Sequence, residues 1–199
     1  LVDGAVQPRG TPDRRLTLAE IGKRHDGFTG EFEPLEGPAG YVPPDLAPLT
    51  SAHLVHVRVD PETGEVTILG YVIAQDVGRA INPAMIEDQL HGGATQGLGW
   101  ALHEAMLFDE NGQLLTGTFL DYALPQAPDV PDFETIIVEV PSADGPYGAR
   151  GIGEGPVCGA AAAVANAIAA ATGVRFRSLP MTAPMIWRGI QGAGAGEAP

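Results

Sequence analysis

The run PVCGAAAAVANAIAAATG, residues 156–173, places the first constraint on the fold. Pro156 suits the opening turn of a helix, and Gly173 supplies a C-terminal stop. The pattern predicts a helix over 156–172. Its side chains are nearly all small and apolar, so the helix must be buried against other elements. Directly ahead of it stands GARGIGEGP, residues 148–156, which surrounds one carboxylate, Glu154, with glycines. Glycine permits unusual backbone angles and close approach of another group. That serves a phosphate cradle, a plain turn, or a mount for one working acid.

The phosphate cradle fails on the residues. Gly151 and Gly153 give the first half of a G-x-G-x-x-G fingerprint, but Pro156 stands where the third glycine belongs. The strand expected before it ends near Val140, too far back for a tight strand-to-helix turn. Two readings of Glu154 stay open. A carboxylate at a helix N-terminus is favoured in its charged form, with Arg150 nearby as a counter-charge, and in a dry pocket it is a competent general base. The plain alternative is an ordinary N-cap acid.

A second helix is expected from INPAMIEDQLHGGATQGLGWALHEA. Asn82 can cap it, Pro83 suits its first turn, and the pattern runs to about Ala105. Four glycines lie inside it, each costing about 1 kcal/mol against alanine. Gln89 and Gln96 are two turns apart and share a face with Gly92, Gly93 and Trp100. Bare backbone with two amides lets a bound group approach and hydrogen bond. Tight helix packing explains the same glycines, and both readings stay open here.

The rest of the chain predicts an α+β fold, with helices packed on an antiparallel or mixed sheet. LTLAEIGKR, residues 16–24, reads as a helix with Thr17 as N-cap, followed by a proline- and glycine-rich crossing loop. AHLVHVRVD and EVTILGYVIAQDV form a hairpin around PETG, the second strand apolar enough to be buried on both faces. After a turn at 109–112, strands are expected up to Pro125, over 134–140 and again after residue 173. A short last helix follows. The expected organisation is an incomplete N-terminal helix and crossing loop over 1–40, a main region over 41–190, and a flexible tail over 191–199.

Composition narrows the function classes. Hydrophobic residues make up 44% against 18% charged, so the chain can bury a core. A net charge of −14 disfavours nonspecific binding to nucleic acid and to anionic lipid. The single cysteine, Cys158, cannot form an internal disulfide or a cysteine-built iron–sulfur or zinc site within this chain, and it is read as a small buried packing residue. No apolar run reaches membrane-spanning length and no signal peptide is visible, so a cytoplasmic location is expected. His53 and His56 fall on opposite faces of a strand, and His91 and His103 do not have ligand spacing, so no protein metal ligands are expected. Asp76 reads as a strand-end cap or a partner of Arg79. The chain opens on Leu1 in what reads as the middle of a domain, which suggests a fragment, a processed subunit or a piece of a longer chain.

QDVGRAINP, DQLHGGATQGLGWALHEAMLFDENGQL, DYALP, GARGIGEGP and AAAAVANAIAAATG, in this order, resemble the C-terminal part of the molybdenum-binding subunit of molybdenum hydroxylases. This is the xanthine dehydrogenase, aldehyde oxidoreductase and carbon monoxide dehydrogenase family, and the resemblance runs over about 41–190. It implies that Glu154 is the active-site base, taking a proton from a hydroxyl on molybdenum as an electron-poor carbon is hydroxylated with water-derived oxygen. It implies that Gln89 contacts a molybdenum–molybdopterin cofactor, in bacteria often the cytosine dinucleotide form, and that Arg150, Gly151, Ile152 and Gly153 line it. Gly92, Gly93 and Gln96 fall where that bulky anion would approach the second helix. Pterin sulfurs hold the metal in this family, so no protein ligand is implied.

The resemblance also implies partners: the remainder of the molybdenum subunit, and iron–sulfur and flavin (FAD) subunits to carry electrons away. The substrate is a small molecule not specified by this part of the family. Arg150 departs from the family's usual lysine, and Asp88 from its frequent glycine before the cofactor glutamine. Two rival expectations are a noncatalytic structural or assembly module without cofactor, and a nucleotide-binding module using the glycine-rich loop.

Overall fold

The structure, a computed structural model, describes residues 3–11, 13–37, 40, 42, 45 and 47–194. The chain divides into two compact units, Leu1–Val42 and Pro43–Pro199. In the first, strands β1 (Ala5–Val6) and β2 (Leu16–Thr17) pair antiparallel, and helix α1 (Leu18–Arg24) follows directly. Thr17 is its N-cap, as expected. Its hydroxyl accepts from the Glu20 amide at 3.1 Å, and the Glu20 carboxylate accepts from the Thr17 amide at 2.8 Å. This reciprocal box satisfies two of the donors a helix start leaves free. Part of the crossing loop expected next lies outside the described residues.

The second unit holds strands β3 (Ser51–Val59), β4 (Val66–Asp76) and β5 (Phe133–Val138), and helices α2 (Pro83–Leu102), α3 (Gly155–Thr172) and α4 (Ala183–Gly194). The hairpin forms as expected, β3 antiparallel to β4. β5 adds to the other side of β4 in parallel, reached through a crossover that contains α2, so the sheet is mixed. The expected burial of β4 on both faces needs correction. Its register against β3 shifts between His56 and Val57, which moves the inward set from Val66 and Ile68 to Tyr71, Ile73 and Gln75. That change of phase is why the sequence reads as continuously apolar. Leu69 is exposed, and Val72 and Ala74 are half-buried.

α2 packs on α3 and buries Ile86, Leu90, Ala94, Leu98 and Ala101, a helical stripe, in one core with Ala160, Val164 and Ile168 of α3 and Tyr71 and Ile73 of β4. Asn82 caps α2 by accepting from the Met85 amide at 3.3 Å. α2 ends at Leu102, with His103 as C-cap, short of the expected Ala105. Gly173 ends α3 in the left-handed region at φ 75°, where a side chain would be strained.

The Ala-rich helix finds its cover in glycine. A Cβ at Gly93 would sit 2.8 Å from the Pro156 Cβ, and one at Gly97 would overlap the Ala160 Cβ. With 18 residues and a mean hydropathy of 1.4, α3 is long and apolar enough, by length and composition, to cross a membrane. The sequence expectation that no run reaches that size is corrected accordingly. Here its buried face packs on α2 and β3.

Two expected strands are not formed. Residues 115–125 lie in turns and bends, with only an isolated bridge between Phe108 and Leu114, and Phe119 and Leu120 are almost fully exposed. The segment between α3 and α4 contains no strand either. α4 runs into the small-residue tail as far as Gly194, and residues 195–199 lie outside the described residues.

Candidate active site

The loop 148–154 is hung from several fixed points. At its start, the Gly148 carbonyl accepts from the Arg79 and Ser142 amides at 2.9 Å each, and the Arg150 amide donates to the Val77 carbonyl at 2.9 Å. Gly78 and Ala149 form a bridge between these segments. The approach is so close that a Cβ at Gly78 would overlap the Gly148 carbonyl oxygen, and Gly78 has φ +68°. Ile152, half-buried, packs against the core. The Gly153 carbonyl accepts from the Gln89 side-chain amide of α2 at 3.1 Å. The structure thus brings Gln89 and the loop together.

Arg150 is held elsewhere than expected. Its Nε lies 3.1 Å from Asp76 Oδ2 and donates to the Val140 carbonyl at 3.2 Å, and another guanidinium nitrogen donates to the Pro48 carbonyl at 2.7 Å. Both charged side chains are largely buried, at 14% and 15% exposure. Asp76 Oδ1 accepts from the Gly78 amide at 2.9 Å and the Val140 amide at 3.1 Å. Burial pushes the Asp76 carboxyl up, but those two amides and the Arg150 guanidinium outweigh it and hold it below the ordinary carboxylate value. The expected pairing of Asp76 with Arg79 is therefore replaced by Arg150.

Glu154 occupies the N-cap position of α3 without capping it, since its side chain makes no cap hydrogen bond. Among the described residues its carboxylate has no hydrogen-bond or ion-pair partner, and it is exposed, not enclosed in a dry pocket as expected. The ordinary N-cap reading fails on this geometry. Gly151 and Gly153 are exposed beside it, and a Cβ at Gly151 would meet nothing within 4 Å.

The same contrast runs along α2. Gly93 faces Pro156 of α3, whereas Gly92 is open, with nothing within 4 Å of a Cβ. Gln96 is exposed and has no partner among the described residues. Cys158, expected to be buried, is exposed one turn into α3, its thiol 3.6 Å from the Glu154 carbonyl.

Two polar residues under α3, Gln75 buried and His53 half-buried, are not marked as site residues by the sequence. Gln75 is fully buried and donates to the Thr50 and Asp76 carbonyls, while its Oε1 has no partner among the described residues and lies against Gly155. An amide in an otherwise apolar strand was the available signal. His53 meets the Tyr71 hydroxyl at 2.9 Å through Nδ1, and its ring packs on Gly159. Burial lowers the pKa of His53 and raises that of Tyr71.

Among the described residues no three His, Cys, Asp or Glu side chains cluster as a metal site. A cavity of about 450 Å³ lies beside Leu102 and His103, at the far end of α2 from Gln89, and contains none of the candidate residues.

Residues 2–131 match the molybdopterin cofactor-binding domain family. The 6-hydroxypseudooxynicotine dehydrogenase complex subunit gamma of Paenarthrobacter nicotinovorans is 37% identical over 99% of this chain and 26% of its own length. The carbon monoxide dehydrogenase large chain of Hydrogenophaga pseudoflava is 34% identical over 92% of this chain and 23% of its own. The crystal structure of quinoline 2-oxidoreductase from Pseudomonas putida 86 superposes with a TM-score of 0.79 at 34% identity, over 95% of this chain and 25% of that one. The chain thus spans about a quarter of the length of these relatives. The family match includes α2 with Gln89 and Gln96, and the alignment with the gamma subunit extends over nearly the whole chain. The chain belongs to the molybdopterin cofactor-binding domain family of the molybdenum hydroxylases.

Proposed function

We propose that this chain supplies the base and one wall of the cofactor site of a molybdenum hydroxylase, with residues 41–190 as the cofactor-binding region. The observation that carries the reading is the Glu154 carboxylate, exposed and unpartnered beside a loop fixed on both sides of it. A carboxylate whose job was local capping or pairing would be bonded here, and among the described residues this one is not.

The residues fit a large anionic cofactor. Gly92 and Gly151 leave room where any side chain would protrude, and Gln96 offers an unengaged amide. Gln89 and Gly153 form the joint between helix and loop. Gly93 contributes by seating α3, Ile152 by anchoring the loop in the core, and Arg150 through its backbone, since its guanidinium is engaged below. The molybdenum–molybdopterin group, which we take to be the cytosine dinucleotide form, would supply the two-electron redox chemistry. Glu154 would take up the proton that leaves the water-derived nucleophile as it attacks an electron-poor carbon. A rigid mount keeps that carboxylate aimed without reorganisation at the moment of reaction.

On this reading the remainder of the molybdenum subunit completes the site and encloses Glu154, and iron–sulfur and flavin subunits receive the electrons in a cytoplasmic assembly. The test is Glu154→Gln in the assembled enzyme, which removes the base and keeps the shape. Turnover is expected to be abolished with molybdenum content unchanged. Turnover near the parent rate would overturn the assignment.

A further inference from the structure

We infer that Asp76 and Arg150 form a positioning pair for Glu154, an inference that rests on the catalytic reading above. The Glu154 carboxylate makes no polar contact among the described residues, so its placement is set by the backbone of 150–153 and by the start of α3. Over 150–153, the side chains that hold the loop through polar contacts among the described residues are Gln89, on the α2 side, and Arg150, on the sheet side.

Arg150 gathers three separate segments. It takes the end of β4 through Asp76, the exit of β5 through the Val140 carbonyl, and the segment before β3 through the Pro48 carbonyl. Asp76 in turn holds the Gly78 and Val140 amides. A planar guanidinium with several fixed donors can bind three acceptors in different directions, which a lysine ammonium on a flexible stem does less well. Because the pair is largely buried, removing one charge leaves the other poorly compensated, and the loop shifts to relieve it. Arg150 and Asp76 are both engaged on the sheet side of the loop. The pair acts through the backbone, and the role is positional.

The experiment uses the assembled, molybdenum-loaded enzyme with Asp76→Asn, Arg150→Gln, the double variant, and Arg150→Lys. Each single variant should lower kcat roughly tenfold to a hundredfold at unchanged KM, the scale set by small misplacements of a catalytic group. The double variant should be no worse than either single, because both remove one device. Arg150→Lys should fall between the parent and Arg150→Gln. Amide hydrogen exchange over 151–154 should rise in the same order, which reads the loop independently of activity. Unchanged kcat, additive losses, unchanged exchange, or loss of molybdenum in step with kcat would each overturn the inference. If Arg150→Gln fails to assemble, Asp76→Asn and Arg150→Lys, which keep side-chain size or charge, carry the decision by the same readouts. An inert Glu154→Gln beside fully active Asp76→Asn and Arg150→Gln would sink the positioning role alone. An active Glu154→Gln would sink the catalytic reading instead.

Discussion

The seam between α2 and α3 and the open rim beside it both use glycine, for opposite reasons. At the seam, Gly93 and Gly97 face Pro156 and Ala160, and a methyl group at either position has no free space. At the rim, Gly92 and Gly151 face nothing within 4 Å. Gly92 and Gly93 are neighbours on one helix and differ by about 100° around its axis. The first kind of glycine is required for the fold to close. The second kind has no packing reason among the described residues; at Gly92, on an exposed helix face, alanine would suit the helix better, and the cofactor wall proposed above would account for the glycine.

The comparison breaks or holds on a pair of substitutions. Gly97→Ala forces a methyl into the Ala160 Cβ and close to the Val157 carbonyl oxygen. Overpacking of this kind costs about 1–3 kcal/mol, which meets or exceeds the helix-propensity gain of about 1 kcal/mol. Denaturant unfolding should show a lowered midpoint with an unchanged slope. A raised midpoint would mean that the seam is not the close-packed joint described here. Gly92→Ala should do the reverse and stabilise the chain by about 0.4–1 kcal/mol, through a less flexible unfolded state and better helix propensity. In the assembled enzyme the same methyl should reduce molybdenum content. Full cofactor retention by Gly92→Ala would remove the reason for calling that glycine functional.

The parts of the molecule legible in sequence are those set by local chemistry. Asn82 and Pro83 mark the start of α2, Gly173 marks the end of α3, and Thr17 marks the start of α1. The illegible parts depend on partners distant in sequence. β5 was readable as a strand, but its parallel pairing with β4 was not, because nothing local distinguishes it. Residues 115–125 carry strand-like apolar residues, yet no neighbouring strand takes them up, and Phe119 and Leu120 stay exposed. At the site, Glu154 and Gln89 stood out from their glycine-rich surroundings. Arg150 reads in sequence as a counter-charge to Glu154, whereas its partner in the fold, Asp76, approaches only after β4 and the loop come together. The exposure of Cys158 and Glu154 likewise follows from which side of α3 the sheet covers.

The smallest effect concerns a third glycine contact, between α3 and β3. Gly159 gives its space to the His53 ring, whose Nε2 is buried without a partner among the described residues while Nδ1 meets the Tyr71 hydroxyl. Burial disfavours the charged ring and lowers its pKa in the folded chain below the ordinary 6.5. A depressed folded-state value means that, below that ordinary value, the unfolded chain binds more protons than the folded one. The stability due to neutral His53 is therefore fully present above about pH 6.5, and it is lost as the pH falls from there through the folded value. His53→Gln keeps a polar neighbour for Tyr71 but cannot titrate. His25, His56, His91 and His103 are common to both proteins, so the difference between their stability curves isolates His53. The parent should lose stability relative to His53→Gln as the pH is lowered below about 6.5, and the two curves should run parallel above it. Curves parallel across the whole range would show that charging the ring is tolerated. The α3–β3 contact would then be an adaptable surface, unlike the closed seam that Gly97 forms with Ala160.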